Sequence, residues 1–461
     1  MIRILIFLPF FLIAPTVFSA ESLPTLDLTK SYFGIAALLT FIIAYLFVIF
    51  EEQIHLPKSK PVMAAASIIW VIVAIAYQQA GYDDVLAPLE HNFLEYAELF
   101  FFLLVAMTYI NTMMERGVFD ALRDYLVKKG FSYRQLFWLT GFLAFFISPI
   151  ADNLTTALIL CAVVLAVGKE NSVFVGLSCI NIVVAANAGG AFSPFGDITT
   201  LMVWQKGVVH FSGFFKLFLP SLVNFIVPAA IMHFAIPKAR PEPIFGESVS
   251  IKKGGLVIVF LFLLTIVTAV LFHSVLNFPP VFGMMTGLAY LNLYAFYLGR
   301  QNGFEKIVSP PEAKNSKSSI DIFERIANAE WDTLFFFYGV ILSVGGLGFL
   351  GYLSVASSYI YGELGATTAN ILVGVMSAIV DNIPVMFAVL TMNPSMSEWQ
   401  WLLVTLTAGV GGSLLSIGSA AGVALMGQAR GHYTFFSHLK WLPAIALGYV
   451  ASIGVHWLVN F

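Results

Sequence analysis

The run "LFWLTGFLAFFISPIADNLTTALILCAVVLAV" (136–167) places an aspartate inside an apolar segment that one membrane helix cannot accommodate. As a single helix, residues 134–168 would be about 52 Å long, against a hydrocarbon core of about 30 Å. The run is interrupted by Pro149 and by Asp152–Asn153. Divided there, each arm is about 22–24 Å, too short to cross. A hairpin that enters and leaves on one side, with Asp152 at its tip, satisfies both lengths. A second apolar stretch, 366–392, contains "SAIVDNIPV" and puts Asp381 at a second tip. A carboxylate in hydrocarbon costs about 2.5–3.5 kcal/mol, so both positions demand compensation.

Composition fixes the environment. The 461 residues are 59% hydrophobic and 11% charged, whereas soluble domains carry about 25% charged residues. This is an integral membrane protein. Apolar segments near 32–50, 61–78, 95–114, 134–168, 172–209, 213–236, 254–274, 281–299, 331–350, 366–392, 399–427 and 441–460 imply helices rather than short barrel strands. Cys161 and Cys179 both lie in apolar segments and read as core residues. Residues 1–20 resemble a bacterial secretory signal, with an uncleaved anchor as the alternative. On either reading, residue 21 starts outside the cytoplasm.

Charge placement tests the hairpins. If neither crosses, the cytoplasmic loops collect Lys58, Lys60, Arg116, Arg123, Lys128, Lys129, Arg134, Lys169, Lys238, Arg240, Lys252 and Lys253. They also collect Arg300, Lys306, Lys314, Lys317, Arg325, Arg430 and Lys440, leaving Lys30, Lys206 and Lys216 outside. The positive-inside rule predicts such asymmetry, and making either hairpin a crossing destroys it.

The linker 300–330 divides two matching halves. "ELFFFLLVAMTYINTMMERGVFDAL" parallels "DTLFFFYGVILSVGGLGFLGYL", and "NAGGAFSPFGDITT" (187–200) parallels "GGSLLSIGSAAG" (411–422). Five crossings separate the two starts, so the second half is expected upside down. The expected fold is an all-α polytopic membrane protein with inverted repeats, each holding a re-entrant hairpin and a broken transmembrane helix. The expected divisions are a signal-like segment (1–20), N-terminal helices (21–94), repeat 1 (95–236), connecting helices and linker (237–330), and repeat 2 (331–461).

Irregular backbone at membrane depth must line a cavity or be buried in protein, so the four breaks should converge. They carry Asp152, Asn153, Thr155, Thr156, Asn187, Ser193, Asp197, Thr199, Thr200, Asp381, Asn382, Ser413, Ser416 and Ser419. The set contains three carboxylates and no Lys, Arg or His. Hard oxygens suit Na⁺ or Li⁺, and three aspartates would repel an anionic substrate. Desolvation and a neighbouring carboxylate both disfavour an ionised acid. A proton and Na⁺ therefore compete for Asp152, Asp381 and Asp197, which makes exchange of one for the other the expected activity.

Simpler readings stand beside this one. Asp152, Asn153 and Thr155 are favoured N-cap types, Asp197 follows the turn signal "SPFG", and Ser413, Ser416 and Ser419 are spaced as helix-packing residues. Two Asp-Asn pairs in corresponding places weigh against capping alone. His91 and Glu98 lie near the outer end of the third segment, where a His can sense external pH or simply sit at the interface. No nucleophile–base pair, metal cluster or phosphate loop supports an enzyme.

"SPIADNLTTAL", "NAGGAFSPFGDITTLMVWQKG" and "GGSLLSIGSAAGVALMG" resemble bacterial Na⁺/H⁺ antiporters of the NhaD type, within the wider ion-transporter superfamily. The likeness covers nearly the whole chain after residue 20. It implies Na⁺ and Li⁺ extrusion from the cytoplasm driven by proton influx, across the bacterial inner membrane and without a cofactor. It implies roles for Asp152, Asn153, Thr155, Asp197, Thr199, Asp381, Asn382, Ser416 and Ser419, and a pH response involving His91 and Glu98. It also implies a homodimer surrounded by lipid, with no nucleic-acid partner. Dicarboxylate carriers of the superfamily have Ser-Asn-Thr at the hairpin tips, where this chain has Ala-Asp-Asn and Val-Asp-Asn. The alternative is a Na⁺-coupled organic-anion symporter on the same scaffold.

Overall fold

In hydrocarbon every backbone N–H and C=O must be satisfied within the protein, so long apolar segments become helices. The computed structural model describes residues 26–82, 85–168, 171–241, 250–308 and 320–461. The signal-like segment 1–20 and Lys169, Lys314 and Lys317 lie outside them. The described residues are helical and contain no strand. Among the described residues, ten helices are long and apolar enough to cross a membrane.

The elements that build the site are α1 (Ser59–Gln79), α2 (Leu86–Glu115), α3 (Tyr133–Ala151), α4 (Asn153–Gly168), α5 (Ser172–Gly190), α6 (Ile198–Gln205) and α7 (Phe218–His233) in the first half. The second half supplies α8 (Trp331–Phe349), α9 (Ala366–Met376), α10 (Asn382–Met392), α11 (Glu398–Gly411), α12 (Ala420–Gln428) and α13 (Leu442–Asn460). The expected boundary at residue 94 falls inside α2, because the helix extends over the polar stretch that holds His91 and Glu95. In α3, 19 residues give about 28 Å, longer than the expected arm and enough to count among the ten. The 14-residue α11 is too short, and 399–427 reaches that length only as α11 and α12 together.

Sequence order and packing explain which helices are central. Residues 174–190 of α5 and 400–411 of α11 are all buried, as expected for helices that are apolar on every side. By contrast, Tyr32–Ile49 exposes Ile35, Leu39, Ile42 and Ile43, and Gly255–Leu276 exposes Leu256, Phe260 and Val267. Exposed apolar faces of that extent suit lipid rather than water. The helices α5 and α11 pack together, as do α3 with α5 and α9 with α11. The arm α4 packs on α12, and α10 packs on α6, so each hairpin's returning arm meets the short helix of the other half.

The helices α2 and α8 run in opposite senses. Near the end of α2, Asn111 donates to the carbonyls of Arg325 and Asn328, just ahead of α8. Near its start, Asn92 lies against Gly345, close to the end of α8. The start of α3 and the end of α4 come together on Phe174: its ring is 4.5 Å from that of Tyr133 and fills the space beside Gly168. At the other end of the molecule, Thr391, Met392 and Asn393 close α10 beside His91 and Glu95, and Asn370 near the start of α9 donates to Gln400 at 2.7 Å.

Candidate functional site

Two matching devices open the central helices. Ser148 Oγ donates to the Ala186 carbonyl at 2.6 Å, and Ser377 Oγ donates to the Ala408 carbonyl at 2.7 Å. Each serine lies just ahead of a hairpin tip and holds the last turns of a central helix against it. Gly189 then presses on the backbone of Phe145, and Gly411 on that of Gly374, where a Cβ would collide. After these glycines the helices break over 191–197 and 412–419 and resume from capped starts. Asp197 caps α6 by accepting from Thr199 N, and Ser419 caps α12 by accepting from Gly422 N. Asp197, expected from the sequence as a turn residue, and Ser419, expected as a helix-packing residue, are thus both helix caps, and capping describes only part of what they do.

The breaks and tips meet in one hydrogen-bonded network. Asp197, 4% exposed, receives Thr199 N on Oδ1 at 3.0 Å. Its Oδ2 receives Asn153 Nδ2 at 3.0 Å and Asn382 Nδ2 at 3.1 Å, one donor from each hairpin tip. Asn153 also donates to Asn187 Oδ1 at 3.0 Å. Asn187 in turn donates to Ser413 Oγ at 2.8 Å and Ser419 Oγ at 3.0 Å, across to the second break. Residues from all four irregular segments are thus joined through buried polar atoms.

The tip aspartates differ. Asp152 has φ 58° and ψ 164°, a conformation that non-glycine residues rarely adopt. Its carboxylate accepts Thr155 N at 2.8 Å and Thr155 Oγ1 at 2.9 Å. Asp381 has an ordinary φ of −43°, and its Oδ1 accepts Ile383 N at 3.4 Å. Its Oδ2 lies 3.8 Å from Lys58 Nζ. A cleft of about 900 Å³ is lined by Asp152, Asn153, Thr155, Asp197, Asp381 and Asn382, together with Lys58, Glu330 and Thr333.

Three further features bear on these residues. Lys58, which the charge pattern assigns to a cytoplasmic loop, reaches Asp381, so a cation stands beside the set. Among the described residues, no three acidic, His or Cys side chains are grouped closely enough to hold a metal ion. Asp152, Asp197 and Asp381 line one cleft, each with its own hydrogen-bond partners. Finally, Thr199 and Ser416 are buried but line neither this cleft nor the one adjoining it.

His91 and Glu98 both lie on α2, at the opposite end from Lys58. His91 Nε2 pairs with Glu95 Oε1 at 3.3 Å, and Lys206 Nζ reaches the same oxygen at 2.7 Å. Glu98 lines a separate cavity of about 480 Å³ with Glu95, Gln205 and Lys206. The sequence reading missed Glu95, although it lies one helical turn from His91.

A polytopic helical protein with two capped helix breaks meeting at a buried carboxylate has the build of a membrane ion transporter. Comparison with known proteins gives the family. The chain belongs to the NhaD-type Na⁺/H⁺ antiporters, and the citrate-transporter family CitMHS matches residues 45–409. A protein named Na⁺/H⁺ antiporter NhaD from Alkalimonas amylolytica is 56% identical, over 97% of this chain and 95% of its own. The protein of the same name from Vibrio cholerae is 57% identical, over 97% and 98%. Sodium/proton antiporter 1 of Arabidopsis thaliana is 31% identical, over 92% and 72%. These relatives are named as transporters rather than enzymes.

Proposed function

We propose that this protein exchanges cytoplasmic Na⁺ or Li⁺ for external H⁺ across the bacterial inner membrane, as a homodimer of inverted repeats. The observation that carries the exchange is Asp197, a buried carboxylate that takes an amide donor from each hairpin tip. A carboxamide presents NH₂ on one side and C=O on the other. Asn153 and Asn382 can donate to the Asp197 anion when no cation is bound. After rotation they can offer carbonyl oxygens to a bound Na⁺. When Asp197 carries a proton instead, one of these carbonyls accepts from its O–H. One constellation therefore serves both ions and holds one at a time.

The opposed senses of α2 and α8, and of the two hairpins, support the inverted-repeat reading. Asp152 with Thr155, and Asp381 beside Lys58, supply carboxylate oxygens along the cleft, while Thr199, Ser416 and Ser419 shape the breaks. His91 and Glu98, with Glu95 beside them, form the outer group assigned to the pH response. The organic-anion symporter is not favoured, since relatives spanning nearly the whole chain are named Na⁺/H⁺ antiporters.

The test is Na⁺-dependent collapse of a respiratory ΔpH in everted vesicles, followed with a pH-sensitive dye at neutral and alkaline pH. Wild type should respond to Na⁺ and Li⁺, and Asp197→Asn and Asp152→Asn should not. A wild type that ignores both cations would remove this reading and make an organic anion the next substrate to try.

A further inference from the structure

Lys58 stands immediately ahead of α1, with its Nζ 4.5 Å above the Phe336 ring and 3.8 Å from Asp381 Oδ2. Both side chains of the pair are largely buried, at 19% and 16% exposed. Lys58 and Asp381 together line the 900 Å³ cleft and an adjoining one of about 1120 Å³, so the pair stands where the two meet.

The three aspartates are not equally available to a cation. Asp197 accepts three hydrogen bonds, and both oxygens of Asp152 are engaged by Thr155. Asp381 has one long backbone contact, on Oδ1. Of the three aspartates, Asp381 is the one with an oxygen, Oδ2, that accepts none of the hydrogen bonds described, and what faces it is an ammonium. A direct ammonium–carboxylate hydrogen bond is about 2.7–2.9 Å long. At 3.8 Å the pair is held by charge without a tight hydrogen bond, and another monovalent cation can compete for the same oxygen.

We infer that Lys58 is a tethered counter-cation, whose ammonium neutralises Asp381 in the empty transporter and is displaced by each arriving Na⁺. This inference rests on the Na⁺/H⁺ exchange reading and deepens it. The tether comes from elsewhere in the fold. Lys58 N donates to Glu51 Oε1 at 3.2 Å, and the neighbouring Ser59 hydroxyl donates to Asp332 at the start of α8. Lys58 thus belongs to the packed pair α1 and α8, whereas Asp381 belongs to the tip between α9 and α10. Displacing the ammonium removes a contact between those two bodies when the cargo binds, which links occupancy to freedom of the tip. Glu330, in the wall of the same cleft, is an acidic group towards which the displaced ammonium can turn.

The experiment titrates NaCl against wild type, Lys58→Gln and Lys58→Arg in everted vesicles, reading half-saturation and maximal rate separately. Removing a largely buried ion-pair partner should lower the half-saturating Na⁺ concentration of Lys58→Gln by about threefold to tenfold. Lys58→Arg keeps the charge and should keep the wild-type half-saturation. A merely structural lysine would alter the rate without tightening Na⁺. If Lys58→Gln shows no exchange, Na⁺-dependent thermal stabilisation of the purified protein in detergent reads binding directly, and the same tightening is expected. Exchange in wild type with unchanged or weaker Na⁺ half-saturation in Lys58→Gln overturns the inference alone, as does absence of tightening in the thermal assay. Absence of Na⁺ exchange in wild type overturns the exchange reading itself.

Discussion

The two helix breaks are built by the same backbone devices and finished with different chemistry. On both sides a serine ahead of the hairpin tip ties down the last turn of a central helix, and a glycine allows close approach to the facing arm. The cap of the resumed helix is Asp197 on one side and Ser419 on the other. The tips differ as well, with a strained Asp152 closed on Thr155 and an unstrained Asp381 facing Lys58. The shared devices shape the two breaks alike, and the differences between them set the proposed exchange chemistry on one side.

The largest expected effect tests that asymmetry at the caps. Asp197→Asn removes a charged oxygen ligand and should slow Na⁺-dependent exchange by more than about 100-fold, equivalent to nearly 3 kcal/mol. Ser419→Ala removes a neutral cap worth about 1 kcal/mol and should cost only severalfold. Initial rates of dye recovery in everted vesicles measure both. Equal losses at the two caps would contradict the division of labour.

The shared scaffold should instead respond alike on both sides. At Gly189 and Gly411, alanine would place a Cβ against the backbone of the facing arm. Overpacking of this kind costs about 1–3 kcal/mol, so both variants should lose thermal stability in detergent to a similar degree. A large loss at one position alone would show that the second break is not a structural copy of the first.

A smaller effect, of opposite sign at the two tips, follows from the backbone. Glycine tolerates positive φ, and strain at such a site is about 1–3 kcal/mol. Asp152→Gly should therefore raise the unfolding temperature while abolishing exchange. Asp381→Gly, at φ −43°, relieves nothing and should lower it. Thermal unfolding of the two purified variants compares them directly, and stabilisation at both tips would remove the strain argument.

Much of this organisation is legible in the residues themselves, for identifiable reasons. Asp152 and Asp381 stand out because an acid in an apolar run is costly, and the breaks stand out because Gly-rich polar strings interrupt helices too long to cross once. Lys58 was hidden by a rule that correctly counts lysines at helix ends but says nothing about where a four-carbon side chain reaches. Glu330, immediately ahead of α8, was hidden because it reads as the last residue of the polar linker 300–330. Glu95 was overlooked because the segment appeared to begin at residue 95, whereas the helix continues outward to Leu86. The hydrogen bonds from Asn153 and Asn382 to Asp197 depend on tertiary crossing of the halves, which no local pattern encodes.

The last effect concerns how the second break is held from outside. His438, in the connection between α12 and α13, meets the Ser413 carbonyl through Nε2 at 2.8 Å and the Tyr433 hydroxyl through Nδ1 at 2.8 Å. A carbonyl only accepts, so Nε2 carries the proton and Nδ1 accepts from Tyr433 in the neutral ring. The first break is braced differently, by Ser193 Oγ on the Pro149 carbonyl and Thr200 Oγ1 on the Ser193 carbonyl, neither of which titrates. Burial pushes His438 down from 6.5 to about 4, the backbone contacts at Ser413 and Leu414 opposing the shift. Between those values the unfolded chain binds more protons than the folded one, so stability is retained above about pH 6.5 and declines as pH falls towards 4. Unfolding temperatures across that window should fall for wild type and flatten for His438→Gln, whose amide keeps a donor to Ser413 without titrating. A slope unchanged by His438→Gln would assign the acid sensitivity to another group and leave the two breaks equivalent in this respect.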